Sequence, residues 1–211
     1  MWKLRTRLLD ALLSAEHSPG KEQPKYVGRG GLKLEGALDA FGINPAGQVA
    51  MDIGSSTGGF TDCLLQHGAT KVYAVDVGHG QLAQTLREDP RVVVMERTNA
   101  RHLTASDLSD AVNLVVVDAS FIGIDKLLPA IFALLPSGGR LLAMVKPQFE
   151  VGRDAARKHK GVIRDPALRD AAIAKARAAV ESAGFSIVGE CASSLPGPKG
   201  NVEHFVYAER R

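Results

Sequence analysis

The chain has 211 residues, which is enough for one domain of ordinary size and too few for two comfortable ones. Hydrophobic residues make up 45% and charged residues 23%, a composition that excludes a disordered chain, a collagen-like chain and a coiled coil. Basic residues exceed acidic ones by 26 to 23, and a net charge of +3 alone is weak support for nucleic-acid binding. Two cysteines, Cys63 and Cys191, are too few for a disulfide framework and form no C-x-x-C pair, so we expect reduced thiols.

Residues 1–25 differ in pattern from the rest of the chain and are expected to form an N-terminal extension. Leu4, Leu8, Leu12 and Ala15 recur at helical spacing, which predicts a short amphipathic helix ahead of a domain over residues 26–211. The opening segment lacks a long apolar core followed by a small-residue cleavage site, and no apolar run approaches the ~18 residues that span a bilayer. We therefore expect a cytoplasmic protein.

From residue 48 onward, short valine-rich runs alternate with segments of helical pattern. The predicted strands are 49–53, 72–77, 92–95, 114–117, 141–145, 186–189 and 204–208, and the predicted helices are 59–67, 81–88, 124–135 and 166–183. This alternation predicts right-handed βαβ units, hence a Rossmann-like, doubly wound α/β fold with a mostly parallel seven-stranded sheet. In such a sheet the ligand lies beyond the carboxyl ends of the strands.

A glycine-rich turn, DIGSSTGGF, follows the first predicted strand and opens a helix. Its glycines permit close approach of the backbone to a ligand at a helix N-terminus. Asp76 ends the second run 18 residues after Gly58, near the spacing at which a carboxylate binds a ribose hydroxyl. A nucleoside-bearing cofactor is predicted. A dinucleotide remains possible, and S-adenosylmethionine fits better because Asp52 suits a cationic amino-acid group more than a pyrophosphate.

Further polar residues follow the later strands. Asn99 could bond an adenine edge or be a simple loop residue. The candidate cofactor residues are Asp52, Gly54, Ser55, Ser56, Thr57, Gly58, Gly59, Phe60, Asp76, Val77, Asn99 and Asp118. Asp118 and Lys146 end adjacent strands and should face one cleft. A lysine that closes an apolar strand is unusual, so Lys146 either extends to solvent or transfers a proton during chemistry.

A basic stretch follows the fifth strand. It contains Arg153, Arg157, Lys158, Lys160 and Arg164 against a single acid in the same interval. Attraction of nucleic-acid phosphates and a merely solvated loop are equally good interpretations of this charge pattern.

Six segments, taken together and in order, resemble the TlyA-type members of the FtsJ-like ribose methyltransferases. They are RGGLKL at 29–34, DIGSSTGGFTDCL at 52–64, VDVG at 75–78, DASFI at 118–122, VKPQFE at 145–150 and PGPKGNVE at 196–203. The resemblance covers the chain from about residue 26 to its end. Family members usually carry an N-terminal S4-like RNA-binding domain, for which the 25 residues before this core are too few.

The resemblance implies transfer of a methyl group from S-adenosylmethionine to a ribose 2′-hydroxyl of ribosomal RNA. It places a catalytic tetrad at Lys33, Asp118, Lys146 and Glu203. Arg29 and the basic stretch would contact RNA, no metal is needed, and stable membrane insertion is not expected. Because the sulfonium methyl is already activated, the enzyme must align the hydroxyl and remove its proton, a task that a neutral Lys146 could perform.

Three other functions compete with this one. A non-catalytic RNA- or ribosome-binding module with the same fold would be favoured by loss of a tetrad residue, and none is lost. A methyltransferase for a small molecule or protein would be favoured by an Asn/Asp-Pro-Pro-Tyr/Phe motif after the fourth strand, where DASF stands instead. A membrane-active haemolysin, a label also carried in the family, would need a stronger amphipathic segment than residues 4–15.

Overall fold

The structure is a computed structural model that describes residues 24–152, 157 and 159–211. The amphipathic helix predicted within residues 4–15 lies outside these ranges, as do Arg153 and Lys158 of the basic stretch.

The described residues form one seven-stranded sheet flanked by helices. The strands are β1 Val49–Ile53, β2 Lys71–Val75, β3 Val92–Met95, β4 Leu114–Val117, β5 Arg140–Val145, β6 Phe185–Ala192 and β7 His204–Arg210. The helices are α1 Gly30–Phe41, α2 Gly59–Gln66, α3 Gln84–Arg87, α4 Leu128–Leu134, α5 Pro147–Glu150 and α6 Pro166–Ser182. Short 3₁₀ turns include Ile124–Lys126 before α4 and Pro198–Gly200 before β7.

The strand order is β3-β2-β1-β4-β5-β7-β6. Strands β1 to β5 are parallel, whereas β7 runs antiparallel to both β5 and β6. The order reverses between β1 and β4, where loops diverge and leave a crevice at the carboxyl ends of the strands. The predicted doubly wound, mostly parallel fold is confirmed.

Alternate residues of the central strands face two separate cores. Met51 and Ile53 of β1 pack in a cluster with residues of α4 and α6. Ala50 of the same strand packs in the other cluster, with residues of α1 and α2. This two-sided burial explains why the parallel strands are continuous apolar runs rather than alternating ones.

Helix α1 was not predicted from the sequence, because glycines at its start resemble a flexible turn. Its buried residues include Leu34, Ala37 and Leu38, which recur at helical spacing. Gly31 is required by packing: a Cβ there would lie 2.3 Å from the ring of Tyr26. The glycines therefore allow the helix to pack closely against the preceding segment.

Two predicted helices were too long. The prediction over 81–88 reduces to α3, because the backbone N–H of Gln81 is held by the carboxylate of Glu96. The prediction over 124–135 divides into the 3₁₀ turn Ile124–Lys126 and α4, whose first turn contains Pro129, as proline favours a new helix start. Strand β2 ends at Val75, so Asp76 and Val77 lie in the loop beyond it.

Candidate active site

A cavity of about 880 Å³ lies beyond the carboxyl ends of the parallel strands, where the strand order reverses. The loops after β1, β2, β3 and β4 each contribute to its wall, through Gly54, Asp76, Asn99 and Asp118 respectively. Ser56 and Val77 line it too. Six of the predicted cofactor residues are thus brought together in one cavity.

The glycine-rich turn is pressed against the loop after β4. Gly54 has a φ of +88°, and a Cβ at this position would lie 2.9 Å from the backbone of Asp118. Its N–H donates to the carbonyl of Val75 at 2.8 Å. Only glycine combines this backbone angle with such close contact, and the turn therefore presents bare backbone to the cavity.

Asp76 ties two cavity walls together. Its Oδ2 accepts a hydrogen bond from the backbone N–H of Ser56 at 2.9 Å, and its Oδ1 accepts from the N–H of Gly78 at 2.7 Å. Across the same gap, the Ser56 hydroxyl donates to Oε1 of Gln81 at 3.1 Å. Asn99 begins the 3₁₀ turn after β3, and its Oδ1 accepts from the N–H of Arg101 at 3.2 Å.

Other predicted cofactor residues lie beside the cavity rather than on its wall. Asp52 is fully buried, and its Oδ2 accepts from the N–H and the hydroxyl of Thr61 at 2.9 and 2.7 Å. Burial raises the pKa of this carboxyl to about 7. Phe60 packs in the core, with its ring 6.2 Å from that of Phe205. The remaining members of this group are Ser55, Thr57, Gly58 and Gly59.

A second cavity of about 640 Å³ adjoins the first and shares part of its wall. The shared residues are Ser120, Phe121, Lys146, Phe149 and Gly152. Phe121 is 90% exposed, has a φ of +66°, and places its ring 5.1 Å from that of Phe149. An aromatic side chain so open to solvent at the junction of two cavities provides a flat surface for a ligand.

Lys146 lies at this junction, and its polar contacts are to residues of the loop that follows β4. Its Nζ is 2.5 Å from Oδ1 of Asp118. It also donates to the backbone carbonyl of Asp118 at 3.1 Å and to the hydroxyl of Ser120 at 2.9 Å. The ammonium thus has three oxygen neighbours and is almost buried, rather than extended to solvent.

Lys33 of α1 and Glu203 before β7 form a second ion pair, in which Nζ of the lysine contacts Oε2 of the carboxylate. Glu203 is 1% exposed, yet it lines the second cavity. Burial raises the pKa of Asp118, while the positive charges of Lys146 and Lys33 oppose that shift and the charge of Glu203 adds to it. Two buried ion pairs therefore act on each other at the junction of the cavities.

Most of the described basic residues predicted to bind RNA surround the second cavity or lie on the same stretch of chain. Arg157 lines that cavity, and Lys160 and Arg164 are exposed. Arg29 is exposed at the start of α1, and its guanidinium donates to the carbonyl of Pro196 at 3.3 Å.

Several residues that line the cavities were missed by the sequence analysis. They are Gln81 and Thr98 in the first cavity, Gln148, Lys199 and Asn201 in the second, and Ser120, Phe121 and Phe149 in both. Ser120 and Phe121 directly follow Asp118, so position at a strand end was a usable signal for them. The overlong helix predicted at 81–88 concealed Gln81.

Both cysteines are free thiols, with Cys63 buried and Cys191 partly so. Within residues 24–152, 157 and 159–211, no three histidine, cysteine or carboxylate side chains cluster as metal ligands would. In the same part of the chain, no helix has the length and apolar character needed to cross a bilayer.

Comparison with known proteins identifies the family. Residues 26–210 match the model of the FtsJ-like methyltransferases. The chain is 49% identical to the 16S/23S rRNA (cytidine-2′-O)-methyltransferase TlyA of Mycobacterium tuberculosis, over 86% of this chain and 68% of that protein.

Solved structures agree with this match. A candidate hemolysin from Lactococcus lactis is 44% identical, with a TM-score of 0.86 over 90% of both chains. An S-adenosylmethionine-dependent methyltransferase from Mesorhizobium loti shares the fold, with a TM-score of 0.62 at 15% identity over 84% of this chain and 98% of that one. The chain belongs to the FtsJ-like methyltransferase family.

Proposed function

We propose that this chain transfers a methyl group from S-adenosylmethionine to a ribose 2′-hydroxyl of ribosomal RNA. The observation that carries the proposal is that Lys146 lines two adjoining cavities, paired with Asp118 of the first, while Glu203, paired with Lys33, lines the second. The first cavity receives the cofactor and the second receives the target nucleotide. The reaction then takes place where the cavities join.

The first cavity fits S-adenosylmethionine in size and in chemistry. Its volume of about 880 Å³ is in the range of small-molecule sites. Asp76 and Asn99 stand where the ribose and adenine of the cofactor would be held, and the bare backbone at Gly54 admits close contact. When bound, the cofactor supplies a methyl group on a positively charged sulfonium, which needs no further activation.

Asp52 supports the cofactor site indirectly. Its carboxylate fixes the first turn of α2 through Thr61, and this turn follows the glycine-rich loop. We propose this role for Asp52 in place of the direct contact to the amino-acid part of the cofactor that the sequence predicted. Phe60 contributes in the same way, as a core residue beneath the loop.

The protein residues have to align the 2′-hydroxyl and accept its proton. Lys146 donates to a carbonyl and a hydroxyl and pairs with the Asp118 carboxylate. An ammonium has no lone pair, so it must give up a proton before it accepts one. Asp118 is in contact and its pKa is raised by burial, which makes it the local acceptor. The neutral Lys146 then takes the hydroxyl proton as the new O–CH₃ bond forms.

Lys33 and Glu203 orient the acceptor nucleotide. Lys33 places a positive charge near the developing alkoxide, and Glu203, which lines the second cavity, holds Lys33 in place. Phe121 offers its exposed ring to a base. Arg29, Arg157, Lys160, Arg164 and Lys199 bind the phosphates that flank the target nucleotide.

We infer the finer identity of the substrate from the relative at 49% identity, which is named for cytidine in 16S and 23S ribosomal RNA. A cytidine in one of these RNAs, met as part of a ribosomal subunit in the cytoplasm, is the proposed target.

The direct test is methyl transfer to ribosomal RNA. The protein is incubated with 16S and 23S RNA, or with isolated subunits, and labelled S-adenosylmethionine. A 2′-O-methyl nucleotide is recognised because alkaline cleavage fails at its 3′ side. Lys146→Ala should abolish transfer and leave cofactor affinity, measured by calorimetry, within about threefold of wild type. Label on a base, or an active Lys146→Ala protein, contradicts the proposal. Cofactor binding without any transfer favours the non-catalytic module.

A further inference from the structure

We propose that Glu150 is a positioning residue that holds the loop carrying Ser120 and Phe121 in the geometry the reaction needs. The loop comprises residues 119–123 and is called the acceptor loop below. Glu150 lies at the end of residues 146–150, called the lysine segment because it begins with Lys146. The inference rests on the proposed function, in which the acceptor loop lines both cavities.

Three contacts join the acceptor loop and its continuation to the lysine segment. At one end the hydroxyl of Ser120 accepts from Nζ of Lys146 at 2.9 Å. In the middle the rings of Phe121 and Phe149 lie 5.1 Å apart. At the other end, the backbone N–H just after the loop donates to Oε1 of Glu150 at 2.8 Å.

The contact at Glu150 is the most protected of the three. Glu150 is 4% exposed, whereas the ring of Phe121 is almost entirely in solvent. Because Phe121 also has a positive φ and little packing of its own, its position depends on how the ends of the acceptor loop are held. Glu150 holds the end that is farther from the catalytic lysine.

Close packing around the carboxylate agrees with this role. A Cβ at Gly123 would lie 3.1 Å from Oε2 of Glu150 and 2.7 Å from Oδ1 of Asp125. The lysine segment is itself fixed to α6, since Nζ of Lys175 donates to the backbone carbonyl of Glu150 at 2.9 Å. The acceptor loop is therefore tied through Glu150 to the rigid part of the fold.

The chemistry of Glu150 suggests a discriminating substitution. Burial raises the pKa of its carboxyl, and the N–H of Ile124 and the charge of Lys175 oppose that shift. A neutral group that still accepts a hydrogen bond should fit as well as the carboxylate does. Glu150→Gln keeps the acceptor, whereas Glu150→Leu fills similar volume and removes it.

The first measurement follows turnover on ribosomal RNA at saturating S-adenosylmethionine. We expect Glu150→Leu to lower kcat about tenfold or more, because a misplaced acceptor loop misaligns the hydroxyl, and Glu150→Gln to stay within about twofold of wild type. Asp107→Leu is the matched control, since Asp107 holds a backbone N–H at another 3₁₀ turn and lines neither cavity. Melting temperatures show whether each variant is folded.

The second measurement reports on the acceptor loop without catalysis. Phe121→Trp in a Trp2→Phe background leaves a single tryptophan, on the loop, which is excited selectively over the three tyrosines. Time-resolved anisotropy should show a larger fast component with Glu150→Leu and no change with Glu150→Gln or Asp107→Leu. Unchanged anisotropy with Glu150→Leu, or equal effects of Asp107→Leu, would overturn the proposal. If wild type transfers no methyl group, the proposed function fails while the anisotropy still tests Glu150.

Discussion

At the scale of single residues, burial acts differently on two carboxylates, Asp118 on the wall of the first cavity and Asp52 beside it. Asp52 is closed off from solvent with Thr61 as its donor, and burial raises its pKa to about 7. Burial also raises the pKa of Asp118, but the charges of Lys146 and Lys33 oppose this shift. Asp52 is thus a structural group whose pKa burial raises, whereas the raised pKa of Asp118 is held back by the lysines that surround it.

The titration of Asp52 predicts a pH dependence of stability. Its folded-state pKa of about 7 exceeds the ordinary 3.8, so the folded protein binds the extra proton between these values. Its contribution to stability is therefore present below about pH 4 and lost as pH rises through 7. Asp52→Asn removes the titration, so wild type should lose melting temperature relative to this variant between pH 5 and pH 8. If, without cofactor, the melting temperatures of wild type and Asp52→Asn change equally with pH across that range, Asp52 is not the titrating group.

Phe121 makes a separate prediction about RNA. A base stacked on an exposed aromatic ring gains ~1–3 kcal/mol, so Phe121→Leu should raise the KM for RNA about tenfold. Phe121→Trp keeps a flat ring and should stay near wild type. Cofactor affinity, measured by calorimetry, is the internal control. A KM unchanged by Phe121→Leu would mean that the target base lies elsewhere.

At the scale of elements, the catalytic groups come from parts of the fold that are far apart in sequence. Lys33 sits in α1 and contacts Glu203, which is 170 residues later, just before β7. The antiparallel return of β7 beside β5 places Glu203 next to Lys146, which follows β5 directly. The start of α1, the end of β5 and the start of β7 thus bring their charged side chains together, although long segments separate them in the sequence.

The loop before β7 packs against the side chain of Glu203, and this contact predicts the effect of a substitution at Gly197. A Cβ at Gly197 would lie 2.2 Å from Oε1 of Glu203, in a buried place where the carboxylate has little room to move. Gly197→Ala should push Glu203 away from Lys33 and lower kcat about tenfold or more. The fold and cofactor affinity should persist, since neither residue lines the cofactor cavity.

Gly200→Asn is the control for this loop. Gly200 has a φ of +83° and open space around its Cβ position, and asparagine tolerates that region better than most residues. Turnover by Gly200→Asn should remain near wild type. If both variants lose activity equally, the loop needs glycine for its backbone and not for the position of Glu203.

At the scale of the whole molecule, charge is distributed more unevenly than a net +3 suggests. Exposed basic side chains, Arg157 and Lys199 among them, line the second cavity, and Lys160 and Arg164 lie on the same stretch of chain. The first cavity is closer to balance, with Asp76 and Asp118 against Arg101, Lys126 and Lys146. Attraction for a polyanion is thus directed at the nucleotide side of the site.

This distribution predicts how RNA binding responds to salt. The logarithm of the affinity for RNA should fall linearly with the logarithm of the salt concentration. Lys199→Ala should make this slope shallower by about 0.7, as expected for one lost contact to a single-stranded phosphate. Arg211→Ala removes the same charge at the far end of the chain, where Arg211 bonds Ser186 of β6, and should leave the slope unchanged. Equal effects of the two variants would show that only net charge matters.

Much of this protein could be read from its sequence. The valine-rich runs predicted the strands because parallel strands are buried on both faces, a property of local sequence. The strand ends predicted that Asp118 and Lys146 face one cleft, since in a parallel sheet the carboxyl ends of neighbouring strands meet at one edge, whereas Lys33 and Glu203 were implied by the family resemblance alone. Predictions were weakest where glycine obscured the pattern, as in α1, and where a side chain such as Glu96 replaces a helical hydrogen bond.

Only the tertiary structure decided which predicted residues line a cavity, which lie in the core and which charged groups pair with each other. Asp52 and Phe60 belong to the same motif as Gly54, yet they point into the core, because side-chain direction depends on packing that no spacing rule contains. The pairing of Lys33 with Glu203 depends on the antiparallel position of β7, a long-range contact. Likewise, Glu150 reaches the end of the acceptor loop only because β4 and β5 are neighbours in the sheet. Local sequence determines the elements and their chemistry, whereas the partners of buried charges are determined by the fold as a whole.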